Sequence, residues 1–227
     1  MSRSVLILRP EPGNAATVTL AKGQGLNAVG FPLFEIEAVE WATQPASAYD
    51  GLLLTSANAI RRAGPGLLAY RELPVIAVGA VTAETARQAG LRVTAQGSSG
   101  VDDLLATLRP STLLHLVGKD ATPLSRHAHT VQNVITYRST ARAAPPEFWA
   151  ALEERPVALL HSARAAVHFA ALVEQKKMKW ISIAAISAKV AKAAGNGWEA
   201  VALAAYPRDE AVIEAALSLA HSDNKAV

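Results

Sequence analysis

The sequence predicts an α/β fold in which parallel sheets are covered by helices on both faces. Three observations lead to this prediction. Short runs rich in Val, Leu and Ile alternate with longer Ala-rich segments along most of the chain. The runs are apolar at consecutive positions, which is typical of parallel strands that are buried on both faces. Similar strand–helix units recur in the two halves of the chain, which indicates two related lobes.

The predicted strands are the short apolar runs that end at Gly, Pro or polar residues. In chain order they are Ser4–Leu8, Gly51–Thr55, Pro74–Val78, Leu91–Ala95, Thr112–Leu116, Pro156–Leu160, Trp180–Ala185 and Ala200–Leu203. The predicted helices are the Ala-rich segments between them. In chain order they are Asn14–Lys22, Ala57–Ala63, Val81–Ala89, Val101–Leu108, Ala163–Lys176, Ala188–Ala194 and Asp209–Ala220.

Two further segments, Phe34–Val39 and Val131–Tyr137, alternate apolar and polar residues, and no helix follows either of them at once. Pro-rich or polar stretches lie close to each. Gln44 and Pro45 follow the first, and Ala144–Pro146 follows the second. We therefore predict that these two segments are paired strands that connect two bodies.

An internal repeat supports the two bodies. Leu53–Ala59 resembles Leu159–Ala165, and the serines within these segments are 106 positions apart (162 − 56). The next unit, Pro74–Ala83, resembles Trp180–Ala191 at nearly the same offset. Two similar βα lobes are the simplest interpretation of this pattern.

Composition excludes several classes of protein. Hydrophobic residues make up 51% and charged residues 18%, which excludes a disordered chain. There is no cysteine, which excludes disulfides, thiolate catalysis, Cys-based zinc sites and iron–sulfur clusters. The net charge of +3 comes from scattered basic residues, so we expect no nucleic-acid partner. The longest apolar stretch, Val157–Val173, is interrupted by polar residues and no targeting segment is visible, so we expect a cytoplasmic protein without membrane contact. We also expect a monomer.

Ligands of parallel α/β sheets bind beyond the carboxyl ends of the strands. The predicted carboxyl ends carry Arg9, Thr55, Ser56, Gly79, Gly118, Lys119, His161, Ser162 and Ser187. Several of these residues directly precede a helix, where backbone N–H groups suit a carboxylate or phosphate. For any one of the serines the ordinary helix N-cap is the favoured interpretation, and that role is compatible with ligand binding.

The remaining candidates are aromatic or imidazole side chains. Tyr137 ends the second connecting segment and is either a proton donor or a packed aromatic residue. His127 and His129 have no acidic or Cys residue nearby, so we interpret them as surface residues and expect no metal site. His115 and His161 end apolar strands and are interpreted as partly buried imidazoles. The chain lacks the glycine motifs of nucleotide-binding loops, which disfavours a nucleotide-dependent enzyme.

These segments together resemble the uroporphyrinogen-III synthase family over nearly the whole chain. Leu54–Ala59 is similar to the family's Thr-Ser-x-Asn-Ala signature, and Ala77–Ala83 is similar to its Val-Gly-x-x-Thr-Ala motif. Val134–Arg138 resembles its return strand with a near-invariant Tyr. The opening Leu8–Pro10 and the closing Ala205–Pro207 are similar to the start and the end of the pattern. The order and the spacing of these pieces carry the resemblance.

The resemblance implies two flavodoxin-like lobes with parallel sheets, joined by a two-stranded β connector. Lobe one is then discontinuous, with residues 1–36 and 143–227, and lobe two comprises residues 40–135. The connectors are residues 34–39 and 131–142.

The resemblance also implies a cofactor-independent lyase that cyclises hydroxymethylbilane to uroporphyrinogen III in haem biosynthesis. Water leaves the linear tetrapyrrole, and ring D is inverted through a spiro intermediate. Tyr137 is then the catalytic residue that assists departure of the hydroxyl group. The strand ends and the resemblance together give the substrate-binding candidates Arg9, Ser56, Asn58, Gly79, Thr82, Gly118, Lys119, Ser162, Arg164 and Ser187.

One position departs from the family pattern. The second repeat of the family often has Gly-x-x-Thr-Ala, whereas this chain has Ser187–Ala191 there. An ungapped match places Ser187 at the Gly and Val190 at the Thr, and a shifted match places Ser187 at the Thr. The alternative function is therefore a catalytically impaired, two-lobed synthase-like protein that binds small polyanions.

Overall fold

The chain divides into two units. The computed structural model describes residues 3–97, 100–125 and 127–221. Unit 1 consists of Met1–Glu35 with Ala141–Val227, and unit 2 consists of Ile36–Thr140.

Strands and helices alternate along most of the chain. The strands are β1 Val5–Ile7, β2 Ala28–Gly30, β3 Phe34–Ala38, β4 Gly51–Leu54, β5 Val75–Val78, β6 Val93–Gly97, β7 Thr112–Gly118, β8 Thr130–Ala141, β9 Val157–Leu160, β10 Ser182–Ala185 and β11 Val201–Leu203. The helices are α1 Gly13–Gly23, α2 Ala57–Arg62, α3 Ala80–Gln88, α4 Val101–Ala106, α5 Pro146–Glu153, α6 Ala163–Leu172, α7 Gln175–Met178, α8 Ala188–Ala193 and α9 Asp209–Ala220. Ala46–Ala48 and Gly64–Tyr70 form 3-10 helices.

The sheet of unit 1 has five strands in the order β11-β10-β9-β1-β2, and every neighbouring pair is parallel. Numbered along the chain within the unit, this is the order 2-1-3-4-5 of flavodoxin-like sheets. The order reverses between β1 and β9. In doubly wound sheets, a ligand crevice lies at the carboxyl ends of the two strands that flank this reversal.

The sheet of unit 2 has six strands in the order β3-β8-β7-β4-β5-β6. The five strands from β8 to β6 pair in parallel. Numbered along the chain from β4, they have the order 3-2-1-4-5, which is the other common doubly wound order. The reversal in this sheet lies between β4 and β7.

The consecutive apolar residues of the strands fill cores on both faces of each sheet. In β1, Val5 and Ile7 join one buried cluster, whereas Leu6 joins the cluster on the opposite face. In β4, Leu52 and Leu54 face one cluster, and Leu53 faces the other. This alternation is why these strands have no polar positions. Among the described helices, none is both long and apolar enough to cross a membrane.

The structure differs from the sequence prediction at several elements. The predicted helix Ala163–Lys176 ends at Leu172, because Val173 takes an extended backbone and its side chain is buried in the core of unit 1. Helix α5 was not predicted, since its two leading prolines indicate a loop, although Pro146 is well suited to the first turn of a helix. The segment Val131–Tyr137, predicted only as a connector, lies within β8 and pairs in parallel with β7.

Candidate functional site

In unit 2, the predicted site residues lie where the strand order reverses. Ser56 follows the end of β4, and Gly118 ends the neighbouring strand β7. Tyr137 pairs with Gly118 across β7 and β8. The carboxyl ends of two adjacent parallel strands therefore bring three predicted residues to one edge of the sheet.

A β-bulge directs the Tyr137 side chain to the same face as Ser56. Val117 pairs with Ile135 and Gly118 pairs with Tyr137, so Thr136 is an extra residue in β8. Without it, the side chain of Tyr137 would lie on the opposite face of the sheet. With the bulge, Tyr137 packs against the core cluster on the α2 face, and its Oη donates a hydrogen bond of 3.2 Å to Ser56 Oγ.

Gly118 leaves the space in which the Tyr137 ring lies. A Cβ at Gly118 would be 2.6 Å from Cζ and 2.9 Å from Oη of Tyr137, which is too close for a side chain at that position. The next N–H, that of Lys119, donates to the Tyr137 carbonyl at 2.9 Å, and the Lys119 side chain is exposed. The ring is therefore held by close packing as well as by its hydrogen bond.

Ser56 is the N-cap of α2. Its Oγ accepts a hydrogen bond of 3.2 Å from the Asn58 N–H, so the cap interpretation is confirmed. The Asn58 side chain accepts from Arg61 Nη1 at 3.4 Å, which directs it along α2. Ser56 Oγ thus lies between a backbone donor on one side and the Tyr137 hydroxyl on the other.

The start of α3 supplies the other predicted residues of unit 2. Gly79 is its N-cap and has φ of +87°, a conformation that favours glycine. Its N–H donates to the Gly97 carbonyl at 2.8 Å. Thr82, in the first turn of α3, is buried with 6% of its surface exposed. Both lie at the carboxyl end of β5, next to β4 in the sheet.

A chain of polar side chains centred on the buried His115 was not predicted, although Thr55 and His115 were named as candidates. Thr55 Oγ1 lies 3.0 Å from His115 Nε2, and His115 Nδ1 lies 3.0 Å from Asn133 Oδ1. Burial lowers the pKa of His115 to about 4, so the imidazole is neutral at neutral pH. Because the amide oxygen can only accept, Nδ1 carries the proton and Nε2 accepts from the Thr55 hydroxyl. The Thr55 hydroxyl is thereby directed toward His115.

In unit 1, a charged cluster lies at the reversal between β1 and β9. Arg9 follows the end of β1, and its Nη1 donates to both carboxylate oxygens of Asp209 at 2.7 Å. The buried Thr17 hydroxyl donates to Asp209 Oδ2 at 2.7 Å. Arg9 was predicted from its place at a strand end. Asp209 and Thr17 were not, because no motif links the start of the last helix to the first strand.

His161 completes this cluster from the end of β9. Its Nε2 lies 3.5 Å from Asp209 Oδ1, and its side chain is only 6% exposed. Burial lowers the pKa of His161 in spite of the nearby carboxylate. For Asp209, burial acts to raise the pKa, but contacts with His161 and Thr17 and the charge of Arg9 outweigh it and hold the pKa well below its usual range. Asp209 is therefore ionised beside Arg9.

The other predicted residues of unit 1 lie at the starts of α6 and α8. Ser162 is the N-cap of α6 and accepts from the Ala165 N–H at 3.2 Å. The exposed Arg164 guanidinium lies over the Phe34 ring, 5.0 Å from its centroid. Ser187 is the N-cap of α8 and accepts from the Val190 N–H at 3.4 Å.

The two halves of the repeat can now be matched by position. Gly79 is the N-cap of α3 and Thr82 is its third residue, just as Ser187 is the N-cap of α8 and Val190 is its third residue. The structure therefore favours the ungapped match within this chain. Val190 occupies the Thr82 position, and it is buried in the core of unit 1.

The predicted residues thus fall into separate groups. Within the described residues, direct contacts join Tyr137 to Ser56, Gly118 and Lys119, whereas Arg9 contacts Asp209 and Thr17. In ranges 3–97, 100–125 and 127–221, no three His, Asp or Glu side chains come together as metal ligands would.

Residues 15–214 match the family model described as uroporphyrinogen-III synthase HemD. The chain belongs to the uroporphyrinogen-III synthase family. The predicted family is thereby confirmed, and with it the class of cyclising lyases of tetrapyrrole biosynthesis. None of the curated proteins compared with the chain matches it significantly.

Two solved structures of uroporphyrinogen-III synthases have a similar fold. That of uroporphyrinogen-III synthetase from Helicobacter pylori aligns with a TM-score of 0.67 and 18% identity, covering 96% of this chain and 99% of that one. A mutant uroporphyrinogen III synthase from Thermus thermophilus aligns with a TM-score of 0.57 and 16% identity, covering 98% and 99%. These similarities confirm the predicted α/β fold with parallel sheets.

Proposed function

We propose that this chain cyclises hydroxymethylbilane to uroporphyrinogen III, and that Tyr137 and Ser56 perform the proton transfer. The observation that carries the assignment is the hydrogen bond of 3.2 Å between their hydroxyl groups at the strand reversal of unit 2. The bulge at Thr136 and the glycine at Gly118 both serve to place the Tyr137 ring there.

The first step of this reaction breaks the C–O bond of the terminal hydroxymethyl group. The electron pair of the adjacent pyrrole nitrogen forms the azafulvenium ion, which keeps the N–H proton, and the departing oxygen needs a proton to leave as water. In our proposal the Tyr137 hydroxyl supplies that proton. The Ser56 hydroxyl then rotates to donate to the phenolate oxygen, while its own oxygen still accepts from the Asn58 N–H.

The later steps form and rearrange carbon–carbon bonds. The azafulvene carbon is attacked by the substituted carbon of ring D, and the spiro intermediate fragments and recloses with ring D inverted. The proton lost when that ring regains aromaticity returns to the Tyr137 oxygen, so the enzyme is restored. The pyrrole nitrogens supply the electrons, so the protein needs neither a cofactor nor a strong nucleophile. Its main contribution is the orientation of the chain ends.

The carboxylates of the substrate require hydrogen-bond donors or positive charges near the carboxyl ends of the strands. In unit 2, we propose Thr82, the exposed Lys119 side chain and the backbone around Gly79 for this role. In unit 1, we propose the donors at the starts of α6 and α8 together with the guanidinium groups. These residues are Arg9, Ser162, Arg164 and Ser187.

The decisive experiment supplies enzymatically made hydroxymethylbilane and separates the I and III isomers of the product by chromatography. Predominant III isomer, formed faster than spontaneous closure, supports the proposal. Only the unrearranged I isomer, at the uncatalysed rate, would show that the chain is not a synthase. A chain that binds the product but does not accelerate its formation would be the catalytically impaired protein considered above.

We further propose that units 1 and 2 are the two predicted lobes and that the protein acts as a monomer in the cytoplasm. The absence of cysteine is compatible with a reducing compartment. Size-exclusion chromatography with light scattering tests the monomer, and cell fractionation tests the location.

A further inference from the structure

One nitrogen of the Arg9 guanidinium group, Nη1, is bound within the protein. Nη1 donates to Asp209 and Thr17. In the described part of the chain, Nε and Nη2 of Arg9 have no hydrogen-bond partner. These two nitrogens form the edge that binds a carboxylate with two parallel hydrogen bonds. The side chain as a whole is 31% exposed.

Gly13 provides the space that the guanidinium group occupies. A Cβ at Gly13 would be 2.6 Å from Nε, 2.9 Å from Cζ and 3.0 Å from Nη2 of Arg9. Gly13 begins α1 and has no positive φ, so its backbone does not require glycine. The close approach of the Arg9 side chain is therefore what a larger residue at this position would disturb.

Asp209 and Thr17 fix the other side of the group. Thr17 is completely buried, and its hydroxyl is 2.7 Å from the Asp209 carboxylate that holds Nη1. His161 covers the same carboxylate from β9. Arg9 and His161 follow strands β1 and β9, which flank the strand reversal of unit 1. Doubly wound sheets bind their ligands at such a reversal.

We propose that Arg9 binds one carboxylate of the substrate through Nε and Nη2, and that Asp209 is its positioning residue. The inference rests on the proposed function for the identity of the substrate, a tetrapyrrole with acetate and propionate side chains. The binding chemistry itself requires only a carboxylate. Asp209 touches no substrate atom in this arrangement and acts only by holding the guanidinium plane.

The test is a fluorescence titration with uroporphyrin III, a stable tetrapyrrole that carries the same carboxylate side chains, together with melting temperatures. Arg9→Gln is expected to raise Kd by about 10-fold to 100-fold, the range for hydrogen bonds to a charged group. Arg9→Lys keeps the charge but not the paired donors, so it is expected to weaken binding by about 5-fold or more. Asp209→Asn is expected to raise Kd and KM while kcat stays within about 2-fold.

Gly13→Ala tests whether the position of the Arg9 guanidinium group matters for binding, without removing any charged group. The added Cβ meets only the end of a flexible side chain, so the melting temperature should be unchanged while Kd rises by about 5-fold or more. Glu210→Gln is the matched control, because it removes a neighbouring exposed carboxylate in the first turn of α9. Its Kd is expected to stay within about 2-fold of the parent, as for most exposed charges.

Each outcome decides the inference separately from the proposed function, because the titration needs no turnover. Parent-like binding by Arg9→Gln, or a parent protein that does not bind uroporphyrin III, would overturn the carboxylate site. Weak binding by Arg9→Gln with parent-like binding by both Asp209→Asn and Gly13→Ala would overturn the positioning role of Asp209. The isomer assay of the parent protein tests the synthase activity independently.

Discussion

Replacement of Tyr137 by Phe removes one hydroxyl group and leaves the ring in place. The ring packs against Gly118 and the core cluster of unit 2, and these contacts do not involve the hydroxyl. What is lost is the hydrogen bond of 3.2 Å to Ser56 Oγ, in a partly buried position. The expected loss of stability is therefore about 0.5–1.5 kcal/mol, the usual net contribution of one hydrogen bond.

The effect on the reaction should be much larger than the effect on stability. Without a proton donor, the hydroxymethyl oxygen must leave with help from water alone. General acid assistance contributes about 10²–10⁴-fold, so we expect Tyr137→Phe to be at least ~10-fold slower, which corresponds to about 1.4 kcal/mol in the barrier. Its product should shift toward the unrearranged isomer, because spontaneous closure continues. Initial rates and isomer chromatography measure both effects.

Tyr49→Phe is the matched control. Tyr49 precedes β4, and its hydroxyl donates to Gln132 Oε1 at 2.8 Å, so this change also removes one phenol hydrogen bond from unit 2. It should lower stability by a similar amount and leave the rate unchanged. If Tyr137→Phe matches the parent rate and makes pure III isomer, Tyr137 is a structural residue and the proton-transfer proposal is wrong.

Three further predictions follow from the same contacts. Gly118→Ala should slow the reaction as Tyr137→Phe does, because its Cβ would displace the ring; initial rates test this. His115 is protonated below about pH 6.5 in the unfolded chain but only near pH 4 in the folded chain, so the free energy of unfolding falls as the pH falls through this window. Between pH 7 and pH 5, urea titrations should show the parent losing about 2 kcal/mol more of this free energy than His115→Gln does. Thr82→Val should slow turnover, whereas Val190→Thr should leave the rate unchanged and lower the melting temperature, since it buries a hydroxyl group in the core.

Much of the fold follows from local patterns in the sequence. Helix α9 has the predicted bounds Asp209–Ala220, and the strand Gly51–Thr55 differs from β4 by one residue. Such segments are recognisable because strands buried on both faces are uniformly apolar and their helices are Ala-rich. The strand order was not predictable in this way, since it depends on contacts between residues far apart in the chain.

The candidate site was predictable only in part, for the same reason. Ser56 and Tyr137 belong to recognisable segments, but the bulge at Thr136 that brings them together leaves no local signal. Asp209 and Arg9 are 200 positions apart, and the acidic residue at the start of α9 would by itself be interpreted as a partner of the helix dipole. Only the topology of unit 1 places these two side chains together.

The two units contain the same strand–helix repeat but carry different polar groups near their strand ends. In unit 2 the strand ends carry hydroxyl groups, a neutral imidazole and a glycine at the N-cap of α3, all of them uncharged donors and acceptors. In unit 1 the equivalent strand ends carry Ser162 and Ser187, Val190 stands in the core at the position of Thr82, and an ion pair lies nearby between Arg9 and Asp209. Uncharged hydroxyl groups suit proton transfer to a leaving oxygen, whereas a fixed guanidinium suits a carboxylate. We infer that the chemical step belongs to unit 2, whereas the fixed guanidinium group of Arg9 in unit 1 binds a carboxylate. Variants of Tyr137 should therefore lower kcat, whereas variants of Arg9 should raise KM.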